Sequence, residues 1–369
     1  MKKTYKVIFH IDLNAFYATC AMIKEPHLKK RVFVVGGQSS GAKGVISTAS
    51  YKARKYGIHA GMSVIEALNL YPRLIIVPVD FKLYKEMSHK FMNVLDEYSP
   101  LVLQASIDEA YLDVTHLAQN THPLKIAKEL QKKLVDQYLL PTSIGIAPTL
   151  YLAKMASDIK KPMGITILRK RDVEKILYPM DISNIHGIGR QTYPKLKMLG
   201  IHTIKDFMDL SNLDKILKVM KENSYYTYRE YILGNSTNII EPDKYKVPKS
   251  ISAETTFHTN IEEPTFLLEE INKQLDECLV RLNKHQMLTK TIGFKLKTSN
   301  FQTITRSVTI NDYTNDPVII KDHLQSLFES EFEEGTYRLA GAHLNNLIDK
   351  ENEKIPFNLF TYEKFIGKS

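Results

Sequence analysis

Residues 105–113 read Ala-Ser-Ile-Asp-Glu-Ala-Tyr-Leu-Asp, and this stretch sets two adjacent carboxylates, Asp108 and Glu109, among apolar residues typical of a β-strand. Ionised carboxylates are costly in such surroundings unless they are paired or bound to metal. The apolar run of residues 7–11 ends in the same way at Asp12. If these strand ends meet, the three carboxylates can hold two hard divalent cations, an arrangement that suits nucleotidyl transfer. The alternative that spacing leaves open is a solvated β-turn.

Outside this stretch, the hydrophobic pattern divides the chain into three blocks. Strands and helices alternate through about residue 168, which indicates an α/β or α+β unit with a central sheet. From 173 to 233 the pattern is helical and broken by glycines, and 241–249 is polar and bracketed by prolines, as in a linker. The block 250–343 has the order strand, helix, strand, strand, helix, strand, which predicts a ferredoxin-like βαββαβ module. We therefore predict an α+β multi-domain protein.

The composition is that of an ordinary globular protein and limits the possible functions. The 369 residues can form two or three folding units, and 43% hydrophobic and 25% charged residues exclude a largely disordered or collagen-like chain. The net charge of +9 weakly favours a polyanionic partner such as nucleic acid. Cys20 and Cys278 lack the spacing of a disulfide framework or a zinc site, which fits a reducing cytoplasm. No apolar run approaches the roughly 18 residues of a membrane span, so no membrane partner is expected.

A short helical segment after the second predicted strand suits a nucleotide. Ser47 or Thr48 can cap this helix, on which Tyr51 and Arg54 lie three residues apart on one face. Exposed N–H groups at a helix start, a tyrosine hydroxyl and an arginine fork together suit a triphosphate. The alternative is a surface helix with an incidental arginine.

Two other features suit the phosphates of DNA. Gly187 and Gly189 lie between helical stretches and permit a tight hairpin whose N–H groups can meet a phosphate, although an ordinary interhelical turn fits the same pattern. Residues 281–306 include six basic residues and no acidic one. On the strand predicted within this range, Lys295 and Lys297 face away from the apolar residues. They can contact phosphates, or they can belong to a merely solvated sheet face.

Three motifs, in this order, resemble those of the Y-family translesion DNA polymerases. They are Ile-Asp-Leu-Asn-Ala-Phe-Tyr-Ala at residues 11–18, Gly-Val-Ile-Ser-Thr-Ala-Ser-Tyr-Lys-Ala-Arg-Lys-Tyr-Gly at 44–57, and the stretch 105–113 quoted above. Similar segments at 143–147, 160–164 and 249–252, together with the glycine hairpin, extend the resemblance over most of the chain.

The resemblance implies a right-handed polymerase fold with a palm built on a ferredoxin-like sheet, small fingers, a helical thumb and an additional little-finger domain. The corresponding ranges are 1–12 and 80–168 for the palm, 13–79 for the fingers, 169–236 for the thumb with a helix-hairpin-helix near 183–200, 237–249 for a linker, 250–347 for the little finger and 348–369 for a C-terminal tail.

The resemblance also implies roles for the motif residues. Asp12, Asp108 and Glu109 are the expected catalytic carboxylates, and with the backbone carbonyl of Leu13 they are expected to bind two Mg²⁺ ions. The expected triphosphate ligands are Thr48, Tyr51, Arg54 and Lys161, and Tyr17 matches the aromatic residue that discriminates against ribose. The expected DNA-binding residues are Gly187, Gly189, Lys295 and Lys297. Asn14 stands where many relatives have a third aspartate in the first motif.

The implied function is template-directed, low-fidelity DNA synthesis past damaged template sites by a cytoplasmic, monomeric enzyme without a proofreading segment. Its expected substrates are dNTPs and primer–template DNA. The segment Pro-Phe-Asn-Leu-Phe at 356–360 keeps the hydrophobic residues of the family's sliding-clamp-binding pentapeptide and lacks its glutamine. We therefore expect the sliding clamp as a further partner.

Two other functions fit part of the sequence. A non-catalytic DNA-binding repair accessory protein would keep the hairpin and the basic strand, but the intact Asp12, Asp108 and Glu109 argue against it. A nucleotidyl cyclase can use a similar palm with two metals, but it has no use for the hairpin or the basic third block.

Overall fold

The computed structural model describes residues 5–37, 44–244 and 246–352. The chain divides into two compact units, Met1–Tyr245 and Lys246–Ser369. The predicted clamp-binding segment at 356–360 lies outside the described residues. In the part of the chain that the structure describes, none of the helices combines the length and the apolar character needed to cross a membrane.

The strands and helices of the first unit follow one another in the order predicted for an α+β protein. They are β1 (Ile8–Leu13), α1 (Phe16–Lys24), β2 (Phe33–Gly36), β3 (Ile46–Ala49), α2 (Tyr51–Arg54), α3 (Val64–Leu70), β4 (Ile75–Val77), α4 (Phe81–Asp96), β5 (Val102–Gln104), β6 (Glu109–Asp113), α5 (Pro123–Tyr138), β7 (Thr142–Ala147), α6 (Leu150–Ile159), β8 (Ile165–Ile167), α7 (Val173–Ile176), α8 (Tyr193–Met198), α9 (Ile204–Met208), α10 (Leu213–Leu217) and α11 (Glu222–Ile232).

A five-stranded sheet in the order β5-β6-β1-β7-β8 is the centre of the first unit. β1 pairs antiparallel with β6 on one side and with β7 on the other. Because side chains alternate along a strand, Phe9, Ile11 and Leu13 enter one core with α4 and α5, whereas Ile8 packs on the opposite face with α6. Residues 105–108, which include Asp108, lie between the separate strands β5 and β6.

A second sheet of the first unit has the order β3-β2-β4 and leads into the single-turn helix α2. The predicted helix cap is wrong. The hydroxyl of Ser50 accepts the capping hydrogen bond from the backbone N–H of Ala53 at 3.2 Å, whereas Thr48 lies on β3. Pairing with β2 reaches Ala49 and therefore keeps Ser47 and Thr48 extended.

The predicted helical block is confirmed by α7 to α11. Within 173–233, all described, the structure has no strand, and one isolated bridge joins Asp181 to Thr203. Leu196, Phe207 and Tyr225 of this block are buried in one core with residues of α6. The helical block therefore supports the helix that faces the carboxylates of the central sheet.

The second unit has the predicted βαββαβ order. Its elements are β9 (Ile251–Ile261), α12 (Pro264–Lys284), β10 (Met287–Thr298), β11 (Thr303–Thr314), α13 (Pro317–Glu331) and β12 (Tyr337–Asp349). The four strands pair antiparallel in the order β11-β10-β12-β9. Ile292, Phe294 and Leu296 are buried in the core with the two helices, and Lys295 and Lys297 are partly exposed on the other face of β10, as the alternation predicts.

Candidate active site

The carboxylates of Asp12 and Glu109 lie on neighbouring strands of the central sheet. The antiparallel register sets Asp12 opposite Glu109, and the alternation of side chains turns both toward α6. From α6, Lys154 places its Nζ 2.6 Å from Glu109 Oε1 and 3.5 Å from Asp12 Oδ2. Lys161 Nζ lies 2.6 Å from Asp12 Oδ2. Two of the predicted metal-binding carboxylates and two ammonium groups therefore form one charged cluster.

Asp108 lies at the same strand end. Its backbone carbonyl accepts a hydrogen bond from the N–H of Leu13 at 3.0 Å, which joins the first and third sequence motifs. Its Oδ1 accepts a hydrogen bond from Ser106 Oγ at 2.7 Å. Burial and the charge of Glu109 together outweigh that hydrogen bond and raise the pKa of Asp108. The structure thus brings the three carboxylates and Leu13 to one end of the central sheet.

The approach of α6 to the sheet depends on Gly145, which lies opposite His10 in the β1–β7 pair. A β-carbon at Gly145 would lie 2.0 Å from the carbonyl oxygen of Ala153 and 2.4 Å from the backbone nitrogen of Ser157, both on α6. Side chains essentially never approach backbone atoms so closely, so a residue with a β-carbon would push the helix outward. The glycine therefore allows Lys154 to reach the carboxylates.

Burial and neighbouring charged groups together set the pKa values of these groups. Burial raises the pKa of Asp12 to about 7. Burial would also raise the pKa of Glu109, but His10, Asp12 and Lys154 outweigh it and lower that pKa below its usual value. Burial would lower the pKa of Lys154, but Asp158, Glu109 and Asp12 outweigh it and raise the pKa of the ammonium. Lys154 is therefore a permanent cation beside the carboxylates.

The chemistry of this donor set fits divalent cations. Carboxylate oxygens are the ligands that Mg²⁺ and Ca²⁺ prefer, and a cation compensates buried acids whose pKa burial has raised. Among the described residues, no three or more His, Cys, Asp and Glu side chains are already gathered as a metal site. In the structure the ammonium of Lys154 contacts Glu109 and Asp12, and so it already supplies a positive charge at this place.

Two of the predicted triphosphate ligands lie together on α2. The guanidinium carbon of Arg54 lies 4.7 Å from the ring centre of Tyr51, and Arg54 Nε donates to the carbonyl of Ala49 at 3.1 Å. Burial raises the pKa of Tyr51, and the charges of Lys161 and Asp12 act on its hydroxyl, so Tyr51 lies within electrostatic range of the carboxylate cluster. Thr48 is partly exposed on β3, the strand that leads into α2.

Tyr17 and its neighbour Phe16 face different surroundings. Phe16 is 2% exposed and packs in the core of the first unit. Tyr17 is only partly buried, and burial together with the charge of Asp108 raises the pKa of its hydroxyl. Tyr17 therefore lies at the edge of the core, on the side of the carboxylates.

The two glycines of the predicted hairpin differ in their surroundings. Gly187 has a φ of +97°, and a β-carbon there would lie 2.6 Å from the hydroxyl oxygen of Tyr228. A β-carbon at Gly189 would meet no atom within 4 Å. The fold itself therefore requires a glycine at Gly187, whereas the space beside Gly189 is open to a ligand.

The basic residues of 281–306 do not share one face, although they cluster in the sequence. Lys295 lies on the face of the sheet away from the helices, where its Nζ is 2.6 Å from Glu254 Oε2. Arg306 pairs instead with Glu331, at the end of α13, at 3.2 Å. Arg281, on α12, donates to a backbone carbonyl of β9. Only part of the predicted basic surface therefore belongs to the open face.

Lys154 and Asp158, which lie one turn apart on α6, were not predicted as site residues from the sequence. Lys161 Nζ is 2.7 Å from Asp158 Oδ1, and Lys154 Nζ is 3.6 Å from Asp158 Oδ2. A signal for Lys154 exists in the sequence, because Leu-Tyr-Leu-Ala-Lys-Met-Ala-Ser at 150–157 contains a single charged residue. A lysine on a buried helix needs a carboxylate partner, so this pattern could have pointed to the site.

The chain is similar to known proteins over most of its length. The chain matches the impB/mucB/samB family at residues 11–158, the C-terminal domain of that family at 248–357 and its HHH motif at 170–201. It is 35% identical over 361 residues to DNA polymerase IV of Oceanobacillus iheyensis, an alignment that covers 97% of this chain and 85% of that relative.

Solved structures of Y-family polymerases have the same fold. A Y-family DNA polymerase chimera aligns with a TM-score of 0.81 at 25% identity, and an insertion ternary complex of Dbh DNA polymerase aligns with a TM-score of 0.66 at 26% identity. Each alignment covers 93% of this chain and 99% of the other. The predicted fold class is thus confirmed, and the chain belongs to the impB/mucB/samB family of Y-family DNA polymerases.

Proposed function

We propose that this chain extends a DNA primer by two-metal nucleotidyl transfer at Asp12, Asp108 and Glu109. It is a DNA-directed DNA polymerase that copies primer–template DNA from dNTPs, past damaged template sites and with low fidelity. The register that sets Asp12 beside Glu109, with Asp108 at the same strand end, is the observation that supports the proposed site most directly. A non-catalytic accessory protein is not favoured, because DNA binding alone has no use for these carboxylates.

The reaction of this family depends on divalent cations, and we assign Mg²⁺. When bound, the cations neutralise the triphosphate and activate the primer 3′-hydroxyl. Asp12 and Asp108 would hold both ions, Glu109 would complete the site beside the primer end, and the carbonyl of Leu13 would add a neutral oxygen. The buried carboxylate of Asp12 and the partly buried carboxylates of Asp108 and Glu109 supply the hard oxygen donors that such ions need.

The triphosphate is assigned to the residues that flank the carboxylates. Arg54 offers a planar fork of N–H donors that matches phosphate oxygens, and Lys161 offers a mobile point charge. Tyr51 and Thr48 would add hydroxyl groups. Tyr17 would exclude a 2′-hydroxyl by the shape of its ring, and its hydroxyl lies within electrostatic range of Asp108.

DNA contacts are assigned to the helical block and to the second unit. Gly187 and Gly189 would present backbone N–H groups to a phosphate, and Lys295 and Lys297 would contact phosphates from the open sheet face. In these terms the palm comprises 1–12 and 80–168, the fingers 13–79, the thumb 169–236, the linker 237–249, the little finger 250–347 and the tail 348–369.

We further propose that the enzyme acts in the cytoplasm as a monomer and binds the sliding clamp through the segment Pro-Phe-Asn-Leu-Phe at 356–360. Both cysteines, Cys20 and Cys278, are buried and free, which suits a reducing compartment. Removal of 354–369 tests the clamp assignment. Basal synthesis is then expected to persist, while stimulation by the clamp falls; equal stimulation of the full and truncated chains would overturn it.

Primer extension on a templated duplex tests the central proposal. Wild type is expected to extend the primer with Mg²⁺, both on intact template and across a panel of defined lesions. Asp108→Asn and Asp12→Asn are expected to lose at least about a thousandfold in rate, because metal clamping supplies several kcal/mol of transition-state stabilisation. Both should keep their affinity for primer–template DNA, because phosphate contacts lie elsewhere.

Asp136→Asn is the matched control, because Asp136 is an exposed carboxylate of the same unit that pairs with Lys132 on α5. It is expected to extend primers like wild type. Near-normal extension by Asp108→Asn in Mg²⁺ would show that the metal assignment is wrong, and absence of templated extension by wild type would favour the accessory protein.

A further inference from the structure

Lys154 is a buried cation that none of the assigned roles uses. The residue is 8% exposed, and its Nζ contacts the carboxylates of Glu109, Asp12 and Asp158 at 2.6, 3.5 and 3.6 Å. Lysine is almost never buried unless it is paired, and here two of its three partners are the proposed metal ligands. The ammonium therefore lies against the same oxygens that a divalent cation would need.

The backbone of Lys154 is held in place by a chain of hydrogen bonds. The hydroxyl of Ser157 donates to the carbonyl of Lys154 at 2.8 Å, and Ser157 Oγ lies 2.8 Å from Nδ1 of the fully buried His10 on β1. His10 and Ser157 therefore link the backbone of α6 at Lys154 to β1. The anchor leaves only the flexible stem of Lys154 free to move.

Asp158 is the second partner within reach of that stem. It lies four residues after Lys154 on the same face of α6, is exposed, and also contacts Lys161 at 2.7 Å. Lys161 is the residue assigned to the triphosphate. Because Lys154 Nζ already lies 3.6 Å from Asp158 Oδ2, a small turn of the stem can exchange Glu109 for Asp158.

We propose that Lys154 is the resident counter-cation of the catalytic carboxylates, and that it turns from Glu109 and Asp12 to Asp158 when a divalent cation binds. This inference rests on the proposed function, because it takes Asp12 and Glu109 as metal ligands. Lys154 and Asp158 are then positioning residues. They keep the carboxylates in place before metal loading, and they set how readily a metal replaces the ammonium.

Mn²⁺ binding to the full chain without DNA tests the proposal, with free Mn²⁺ measured by electron paramagnetic resonance. Lys154→Met is expected to bind Mn²⁺ at least about fivefold more tightly than wild type, because the ammonium on Glu109 no longer has to be displaced. Lys160→Met removes a neighbouring exposed charge and is expected to stay within about twofold of wild type. If Lys154→Met also stays within that range, the proposal is wrong.

A double-mutant cycle distinguishes an exchange of Lys154 between Glu109 and Asp158 from a direct electrostatic effect of Asp158 on the bound metal. Asp158→Asn is expected to weaken Mn²⁺ binding about fivefold in the wild-type background, because Lys154 then has no other partner, and to have little effect in the Lys154→Met background. Equal weakening in both backgrounds would mean that Asp158 acts only by its own charge, and would overturn the exchange.

A crystal structure of the wild type with Mn²⁺ keeps the proposal testable if Lys154→Met does not fold. Lys154 Nζ is expected beyond 3.5 Å from Glu109 Oε1 and in hydrogen-bond contact with Asp158; an ammonium still on Glu109 with Mn²⁺ bound would overturn the exchange. A different result would show that the proposed function itself is wrong. Wild type would then bind Mn²⁺ no more tightly than Asp12→Asn does, whatever the affinity of Lys154→Met.

Discussion

The ring of Tyr17 lies nearly flat on the ring of Tyr84, with ring centres 4.2 Å apart and planes 18° apart. Tyr84 is 1% exposed and fixed in the core of the first unit. Phe81 meets the ring of Tyr17 edge-on at 6.2 Å. Stacking on a buried ring limits how far Tyr17 can move, so a sugar held near Asp108 would meet a rigid aromatic surface.

Tyr17→Ala should therefore insert ribonucleotides much more readily while it still uses deoxynucleotides, because the surface that excludes a 2′-hydroxyl is removed. The measurement is the ratio of incorporation efficiencies for dCTP and CTP opposite template guanine. Phe16→Ala is the control, and it should lose about 3–5 kcal/mol of stability and keep the sugar preference, because Phe16 is a core residue. A ratio that collapses only in Phe16→Ala would refute the assignment of Tyr17.

Gly145→Ala should displace α6 and impair the active site from a distance. The added methyl would lie 2.0 Å from the carbonyl of Ala153, so the free energy of unfolding should fall by at least about 2 kcal/mol, and extension should slow because the displaced helix disturbs the packing around Asp12 and Glu109. Urea denaturation and primer extension measure the two effects. Gly335→Ala, whose methyl would meet its nearest atom at 3.4 Å, should change neither. If the free energy of unfolding of Gly145→Ala equals that of wild type, the packing of α6 does not depend on this glycine.

The two hairpin glycines should respond to alanine in opposite ways. Gly187→Ala should lower the free energy of unfolding by about 1–2 kcal/mol, because its φ of +97° is strained for a residue with a β-carbon. Gly189→Ala should change stability by less than about 0.5 kcal/mol, because its methyl enters open space. If that space admits a DNA phosphate, Gly189→Ala should nevertheless weaken DNA binding several-fold. Unchanged affinity in a filter-binding assay would remove Gly189 from the DNA contacts.

Lys297→Ala should weaken DNA binding for all sequences and reduce the slope of log affinity against log salt by about one, because one phosphate contact is lost. Lys295→Ala should reduce it by less, because Glu254 already neutralises Lys295 in part. Lys321→Ala serves as the control, since Lys321 pairs with Asp276 of α12 on the helical face. An unchanged slope in Lys297→Ala would place the open face of β10 away from DNA.

Asp181 should make the helical block sensitive to acid. The hydrogen bond from Lys197 and those from Ser183 lower its pKa to about 2, below the roughly 3.9 of an unfolded aspartate. The folded state therefore binds fewer protons than the unfolded state. The stability that Asp181 contributes is complete above about pH 4 and is lost as the pH falls toward 2. Because the side chain is 44% exposed, Asp181→Asn should cost less than about 1 kcal/mol at pH 7. The melting temperatures of wild type and Asp181→Asn should converge as the pH is lowered from 7 to 3. A constant difference between them would contradict this prediction.

Much of the fold was predictable because its signals are local. Apolar residues at every second position of 291–297 predicted both β10 and the face that Lys295 and Lys297 occupy. Glycine and proline positions separated the helical block from the βαββαβ module. The place of the carboxylates at one strand end was also predictable, since Asp108 and Glu109 stand among apolar neighbours in the sequence, where an acid is costly without a partner.

The sequence by itself thus determined which elements form, which residues face the core and which acids need a cation. Only the tertiary structure decided their partners. Lys154 meets Glu109 across 45 residues of chain and Asp12 across 142, and Arg306 turns to Glu331 rather than to the open face. The physical reason is that strand register and helix approach depend on contacts between distant segments. Gly145 has no β-carbon, so α6 can approach the sheet closely. The local hydrophobic pattern carries no information about that distance between helix and sheet.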